Sequence, residues 1–302
     1  MALPKPQGVY PLGSVPHRLT HSETSAPLAG QREASARSPL AESTNAVPHV
    51  LCIHSFASSS AQYQGLASRL APHFRVLTTD LFGHGFNQPW PLGRRFTLAD
   101  EAAPFEALLP DSGIGHLVGH SYGAAVVLRI ARTKGRSIRS IVMYEPAIWG
   151  TLSRLLPDEP ATREIEAVRD ETIQLINRGQ LGAATERFID YWAGQGTWAT
   201  SPEPRQRKLV ASVRSLHAAW SATFAERWSA GTLRSLDTPC LLLTGKCSTV
   251  AARRAIRLLQ DMLPAAKVIE FDGMGHLGPV THPAVVDAAI EDFLISTSRR
   301  TT

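Results

Sequence analysis

Cysteine is scarce. There are three in 302 residues, Cys52, Cys240 and Cys247, and they are widely separated. That is too few and too scattered for a disulfide framework or a metal site, so no cofactor or metal is expected and a reducing cytoplasm is the expected compartment. Long apolar runs are also missing: none approaches the roughly 20 residues of a membrane helix. Residues 1–6 lack the apolar core of a secretion signal. The net charge is +5 and the isoelectric point about 9.4, yet there is no basic cluster. Arg94-Arg95, Arg253-Arg254 and Arg299-Arg300 are isolated pairs with no nucleic-acid-binding signature around them, and they read as solvated surface. Neither a nucleic acid nor a membrane is an expected partner; a small-molecule substrate is, and the oligomeric state is left open. No internal repeat is visible. With 43% hydrophobic and 19% charged residues, the chain has the composition of a globular protein, long enough for one large domain or a core with an insert.

Residues 1–46 are rich in Pro, Ser, Ala and Gly and poor in periodic apolar positions. Segments such as 26–44 cannot bury enough apolar surface to offset their ordering entropy. A disordered or loosely packed arm is expected there, with 9–10 and 17–20 as candidate short edge strands.

From His49 the texture changes. Apolar strands are expected at 50–53, 74–79, 114–120, 138–144, 240–244 and 267–271, alternating with helices at 61–71, 96–109, 122–133, 251–262 and 283–295. Continuous apolar strands alternating with helices imply an α/β fold, a mostly parallel doubly wound sheet covered on both faces. Residues 149–236 break this rhythm, with helices expected at 161–177, 181–192 and 204–226, no strand, and Trp192, Trp198, Trp220 and Trp228 among them. The expected division is therefore a core of 47–148 and 237–302 with a helical cap of 149–236 over the sheet's carboxyl edge.

The segment Gly119-His120-Ser121-Tyr122-Gly123 joins the third strand to its helix. Strand, sharp turn and helix, with Ser at the apex and Gly two positions to either side, is the nucleophile-elbow pattern. The strained apex projects the hydroxyl, and side chains at the two glycines would strike the neighbouring strand or helix. Ligands of open α/β sheets bind beyond the carboxyl ends of the strands. At those ends lie His54 to Ser58, Asp80 to Gly85, Ser121, Glu145-Pro146, Gly245 to Ser248 and Gly273 to His276. A nucleophile, an acid and a histidine thus occur in the order Ser, Glu, His.

From His49 to the C-terminus this set resembles the α/β-hydrolase superfamily, in particular capped bacterial serine hydrolases. The matching segments are His54-Ser55 with 56–60, 80–85, 119–123, Tyr144-Glu145-Pro146 and 273–276. The resemblance implies an α/β-hydrolase fold with a helical lid, Ser121 as nucleophile, His276 as general base and the backbone N–H groups of Phe56 and Tyr122 as oxyanion donors. Ser55 stands where many relatives have Gly, so the first donor is left open between Phe56 and Ala57. His54 is expected to hydrogen-bond within its loop and His282 to be structural. Trp149 and Trp192 are candidates for the substrate pocket.

Most relatives carry an Asp three residues after the Gly that ends the late strand; here that Gly is Gly245 and position 248 is Ser. Some relatives place the acid after the strand preceding the lid, where Glu145 stands. Glu145 is the favoured acid, Asp80 the alternative, and Asp272 lies too close to His276 in the loop to reach behind it. The expected activity is hydrolysis of an ester or related acyl bond of a small, mainly apolar substrate, without a cofactor. The missing late Asp keeps other uses of the scaffold open: a lyase, an acyltransferase, a cofactor-free oxygenase, or a non-catalytic small-ligand binder.

Overall fold

The computed structural model describes residues 47–299, apart from 92 and 110–114 and the side chain at 136. The arm of 1–46 and its candidate edge strands lie outside the described residues. Six strands, β1 (His49–Ile53), β2 (Arg75–Thr78), β3 (Gly115–His120), β4 (Ile138–Tyr144), β5 (Cys240–Gly245) and β6 (Lys267–Phe271), form one sheet in the order β2-β1-β3-β4-β5-β6. All five pairings are parallel. The chain runs from β1 out to β2 and returns on the other side of β1 as β3, so the strand order reverses between β1 and β3. This is where such sheets open a crevice at their carboxyl edge.

Neighbouring residues of a strand face opposite ways, and in a sheet covered on both sides each must meet apolar partners. Val50 and Cys52 pack with Leu66 and Leu70 of α1 (Gln64–Leu70) and with Val286 and Ile290 of α13 (Pro283–Ser298). Leu51 and Ile53 pack on the other face with Phe105 of α2 (Leu98–Glu106) and Leu128 and Ile130 of α3 (Tyr122–Lys134), in the same cluster as Ile256 and Leu259 of α11 (Val250–Met262). A short helix, α12 (Gly278–Thr281), follows the last strand.

Between β4 and β5 the described chain is helical: α4 (Trp149–Leu155), α5 (Pro160–Asn177), α6 (Leu181–Ala193), α7 (Thr197–Thr200), α8 (Glu203–Val213), α9 (Leu216–Ala225) and α10 (Ala230–Arg234). Ile165, Phe188, Trp192 and Trp220 of this insert belong to the same apolar cluster as Leu51 and Leu128, so the insert is rooted in the sheet's own core. The single helix expected at 204–226 is in fact two, α8 and α9. The stripe Leu209, Val213, Leu216, Trp220 keeps helical spacing across the break, which conceals it in the sequence. At the break Ser215 lies against Gly83, where an added Cβ would stand 2.0 Å from the Ser215 hydroxyl. No helix of the described residues is long and apolar enough to cross a membrane.

Candidate active site

Ser121 follows β3 at φ +55°, ψ −115°, a conformation costly for any residue with a Cβ. It is held there by its own N–H, which donates to Tyr144 O at 2.8 Å, and by its carbonyl, which accepts from the N–H groups of Ala124, Ala125 and Ala147, each at 3.1 Å. The two elbow glycines are required by contact. A Cβ on Gly119 would lie 2.6 Å from Ala124 Cα, and one on Gly123 would lie 2.3 Å from the carbonyl oxygen of Ile53.

The structure brings Ser121, His276 and Glu145 together. His276 Nε2 is 2.9 Å from Ser121 Oγ, and His276 Nδ1 is 2.7 Å from Glu145 Oε2. The other carboxylate oxygen, Oε1, accepts from Thr244 Oγ1 at 2.7 Å, Gly245 N–H at 2.9 Å and Ser248 Oγ at 2.5 Å. Burial alone would push the Glu145 carboxyl up; the bond and charge of His276 with the donors from Ser248 and Gly245 outweigh it, and the net shift is downward. An ionised Glu145 requires the proton on Nδ1, which leaves Nε2 free to accept from the serine hydroxyl. Position 248 has no carboxylate, and its Ser donates to the carboxylate that stands at 145 instead.

Asp80 and Asp272 are engaged elsewhere. Asp80 Oδ1 accepts from Ser60 N–H at 2.7 Å, organising the loop after β1. Asp272 is exposed and pairs with Lys246 at 2.8 Å. His282 faces Thr281 Oγ1 at 2.8 Å, away from the site.

The turn after β1 narrows the choice of oxyanion donors. Ala57 has φ +60°, and its N–H donates to His84 Nε2 at 3.0 Å, while His84 Nδ1 donates to Phe82 O at 2.9 Å. With the Ala57 amide consumed, Phe56 N–H remains the candidate of the two. Burial lowers His84 to about 4, so the ring stays neutral and keeps this accepting nitrogen. His54 is likewise held neutral: burial and the neighbouring His84 lower it to about 3. Its Nδ1 donates to Ser55 O at 2.7 Å and its Nε2 accepts from Leu81 N–H at 3.1 Å. Its 3.7 Å approach to Asp80 is therefore a contact with a neutral ring rather than an ion pair.

Gln62, which carries no motif, and His120 of the elbow tie the turn to the histidine loop. Gln62 Oε1 accepts from Ser55 N–H and Ser55 Oγ, both at 3.2 Å, and its Nε2 donates to His120 Nδ1 at 3.2 Å. His120 Nε2 in turn donates to the His276 carbonyl at 2.8 Å. One neutral tautomer satisfies both His120 bonds, and burial together with His276 holds His120 well below its usual value. Polar side chains at helical spacing after a strand could have flagged Gln62; only the fold shows what it joins.

Trp149 and Trp192 both line a pocket beside Ser121. The Trp192 ring also lies over His276, centroids 4.1 Å apart and planes 31° from parallel, so the insert covers the imidazole directly. Among the described residues no group of three or more His, Cys, Asp and Glu could hold a metal ion.

Glu101 is a further buried acid. It accepts from Phe82 N–H and Tyr122 O–H, each at 3.0 Å, and burial raises its carboxyl to about 7 against these two bonds. A raised acid binds its proton more tightly in the folded chain than in the unfolded one, so stability is highest below the unfolded value and declines as pH rises toward 7. The slope is at most one proton, about 1.4 kcal/mol per pH unit. In urea unfolding measured from pH 5 to 7, Glu101→Gln is expected to show a smaller decline than the native protein; parallel curves would contradict the assignment.

Comparison with known proteins gives concordant findings. The model of the alpha/beta hydrolase family matches residues 50–289. The pimeloyl-[acyl-carrier protein] methyl ester esterase of Aeromonas salmonicida is 24% identical over 244 residues, spanning 78% of this chain and 91% of that protein. The N-formylmaleamate deformylase of Pseudomonas putida is 24% identical over 254 residues, spanning 81% and 88%. Among solved structures, a thermophilic esterase from Thermogutta terrifontis aligns with a TM-score of 0.65 at 24% identity, over 83% of this chain and 90% of that one.

Proposed function

The chain belongs to the alpha/beta hydrolase family, and from that premise we propose that it is a serine hydrolase that cleaves an ester or related acyl bond of a small, mainly apolar substrate. The observation that carries this reading is the unbroken line Ser121 Oγ, His276 Nε2, His276 Nδ1, Glu145 Oε2, with steps of 2.9 and 2.7 Å. The similarity to an ester hydrolase and to a deformylase supports the same bond class.

The hydroxyl of Ser121 is a poor nucleophile near neutral pH unless a base removes its proton as it attacks. His276 Nε2 takes that proton, and Ser121 Oγ bonds to the acyl carbon. The resulting imidazolium is stabilised by Glu145 on its far side, and the oxyanion is met by the N–H groups of Phe56 and Tyr122. Each such donor is worth typically 10²–10³ in turnover. Nε2–H then protonates the departing oxygen and the old acyl bond breaks. A water, deprotonated by the same nitrogen, attacks the acyl-enzyme, releasing the acid and returning the proton to Ser121. Helices α4 to α10 serve as the cap, their Trp149 and Trp192 forming part of the wall that excludes water.

A fluorophosphonate probe tests the reading. The folded protein is expected to be labelled on Ser121, to turn over a short-chain 4-nitrophenyl ester, and to lose both in Ser121→Ala. A folded protein that takes no label has no activated serine, and the proposal fails.

A further inference from the structure

Two cavities meet at Ser121, and they differ in chemistry. The first is a narrow cavity of about 20 Å³ among Tyr122, Trp149, Phe188, Leu216 and Trp220, with no charged side chain among the described residues of its wall, so a substrate group enters it only as these side chains part. The second is roomier, about 90 Å³, and is bounded by Ser55, Ser58, His276, Leu277 and Arg205. His276 lines the second and not the first. The leaving oxygen must receive its proton from His276 Nε2, so the alcohol side of the ester lies in the cavity that His276 lines. The acyl side takes the apolar one.

On the alcohol side Arg205 is the sole Lys or Arg among the described residues of the wall, and no described carboxylate accompanies it. Among the described residues it has no ion-pair partner; its neighbour Glu203 is engaged by Arg207. Arg205 also sits in the first turn of α8, where the helix dipole is already positive and a cation is disfavoured. Helix stability therefore does not explain a cation at this position. Positive helix end and guanidinium add to one potential at the mouth of a cavity that leads to Ser121.

Resting on the hydrolase reading above, we propose that the preferred substrates are esters whose leaving group carries an anion, a carboxylate or phosphate, that Arg205 holds while a compact apolar acyl group occupies the cavity beside Tyr122 and Trp149. The reaction stays the same: the acyl–oxygen bond breaks, the alcohol leaves with the proton from His276 Nε2 and its anion still attached, and water supplies the hydroxyl of the released acid.

Three butyryl or glutaryl esters test it at low ionic strength: 4-(butyryloxy)butanoate, its neutral counterpart 4-(butyryloxy)butanamide, and monobutyl glutarate, which puts the carboxylate on the acyl side. The carboxylate-bearing alcohol ester is expected to exceed the amide in kcat/KM by about fivefold, the scale of one partly exposed charge pair. The effect should lie mainly in KM, shrink as NaCl rises, approach unity in Arg205→Gln and invert in Arg205→Glu. Equal rates for the two alcohol esters, an advantage that survives Arg205→Gln, or preference for monobutyl glutarate would overturn the inference while leaving the hydrolase intact. Loss of fluorophosphonate labelling together with no turnover of any ester would instead remove the reading on which it rests.

Discussion

Replacing Glu145 by Gln is expected to lower kcat by about 10⁴, the loss that a carboxylate-to-amide exchange produces in Ser-His-Asp triads, while the protein stays folded. The reason lies in how the four bonds are shared. Three donors, Thr244 Oγ1, Gly245 N–H and Ser248 Oγ, converge on Oε1, and His276 alone meets Oε2. An amide has one accepting oxygen, and the three donors draw it to the Oε1 position. The NH₂ then faces His276 Nδ1, which must become an acceptor, and the ring proton moves to Nε2. A hydrogen on Nε2 points at Ser121 and cannot receive its proton. Chemistry is lost through the wrong tautomer rather than through displacement of any group.

The loss should therefore fall on kcat, with KM little changed and labelling by the fluorophosphonate slowed to a similar degree. Steady-state kinetics and a melting curve on the same sample separate this outcome from unfolding. Unchanged kinetics in Glu145→Gln would exclude the tautomer mechanism and return attention to Asp80, the other carboxylate at the sheet's edge.

The features that could be read before folding are those that recur at strand ends. Ser121, His276 and Glu145 each follow a strand by a few residues, and in a parallel sheet such residues share one edge whatever the sequence distance between them. That is why positions 121, 145 and 276 could be placed at one edge from strand spacing, together with 54 and 80, and the family resemblance singled out the three. The resemblance favoured Glu145 over Asp80, and the coordinates add the side-chain directions: Glu145 turns to His276 and Asp80 to Ser60 N–H. The Gln62–His120–His276 carbonyl link could not be read from the sequence, because Gln62 lies in no motif and what His120, at a variable position of the elbow, bonds is set by the fold. Glu101 was equally silent. It lies in a helix with a capping box at Thr97 and Asp100, where a Glu in the first turn is unremarkable until the Tyr122 hydroxyl is seen upon it. The break between α8 and α9 was masked by an apolar stripe that runs through it unperturbed.

Ser121→Ala is expected to lower kcat by about 10⁶, as loss of the nucleophile does in comparable triads, and to make further triad substitutions nearly silent. The nucleophile, base and acid act as one proton-transfer unit, so once Oγ is gone there is no proton for His276 to accept and no imidazolium for Glu145 to stabilise. The double variant Ser121→Ala, Glu145→Gln should thus match Ser121→Ala within a few fold. A further fall of about 10⁴ in the double variant would mean that Glu145 acts on substrate independently of the serine. On the proposed mechanism, what remains in Ser121→Ala is the contribution of the Phe56 and Tyr122 N–H groups to the oxyanion. The same position also carries strain that can be measured apart from catalysis. Ala and Gly both lack the hydroxyl, but only Ala retains a Cβ at φ +55°. Relief of about 1–3 kcal/mol of strain against about 0.5–1 kcal/mol of extra chain entropy for Gly leaves Ser121→Gly more stable than Ser121→Ala by about 1 kcal/mol. Calorimetry should place its Tm higher by roughly 2 °C; an equal or lower Tm would mean that the strain on a Cβ at the elbow is no larger than the extra chain entropy of Gly.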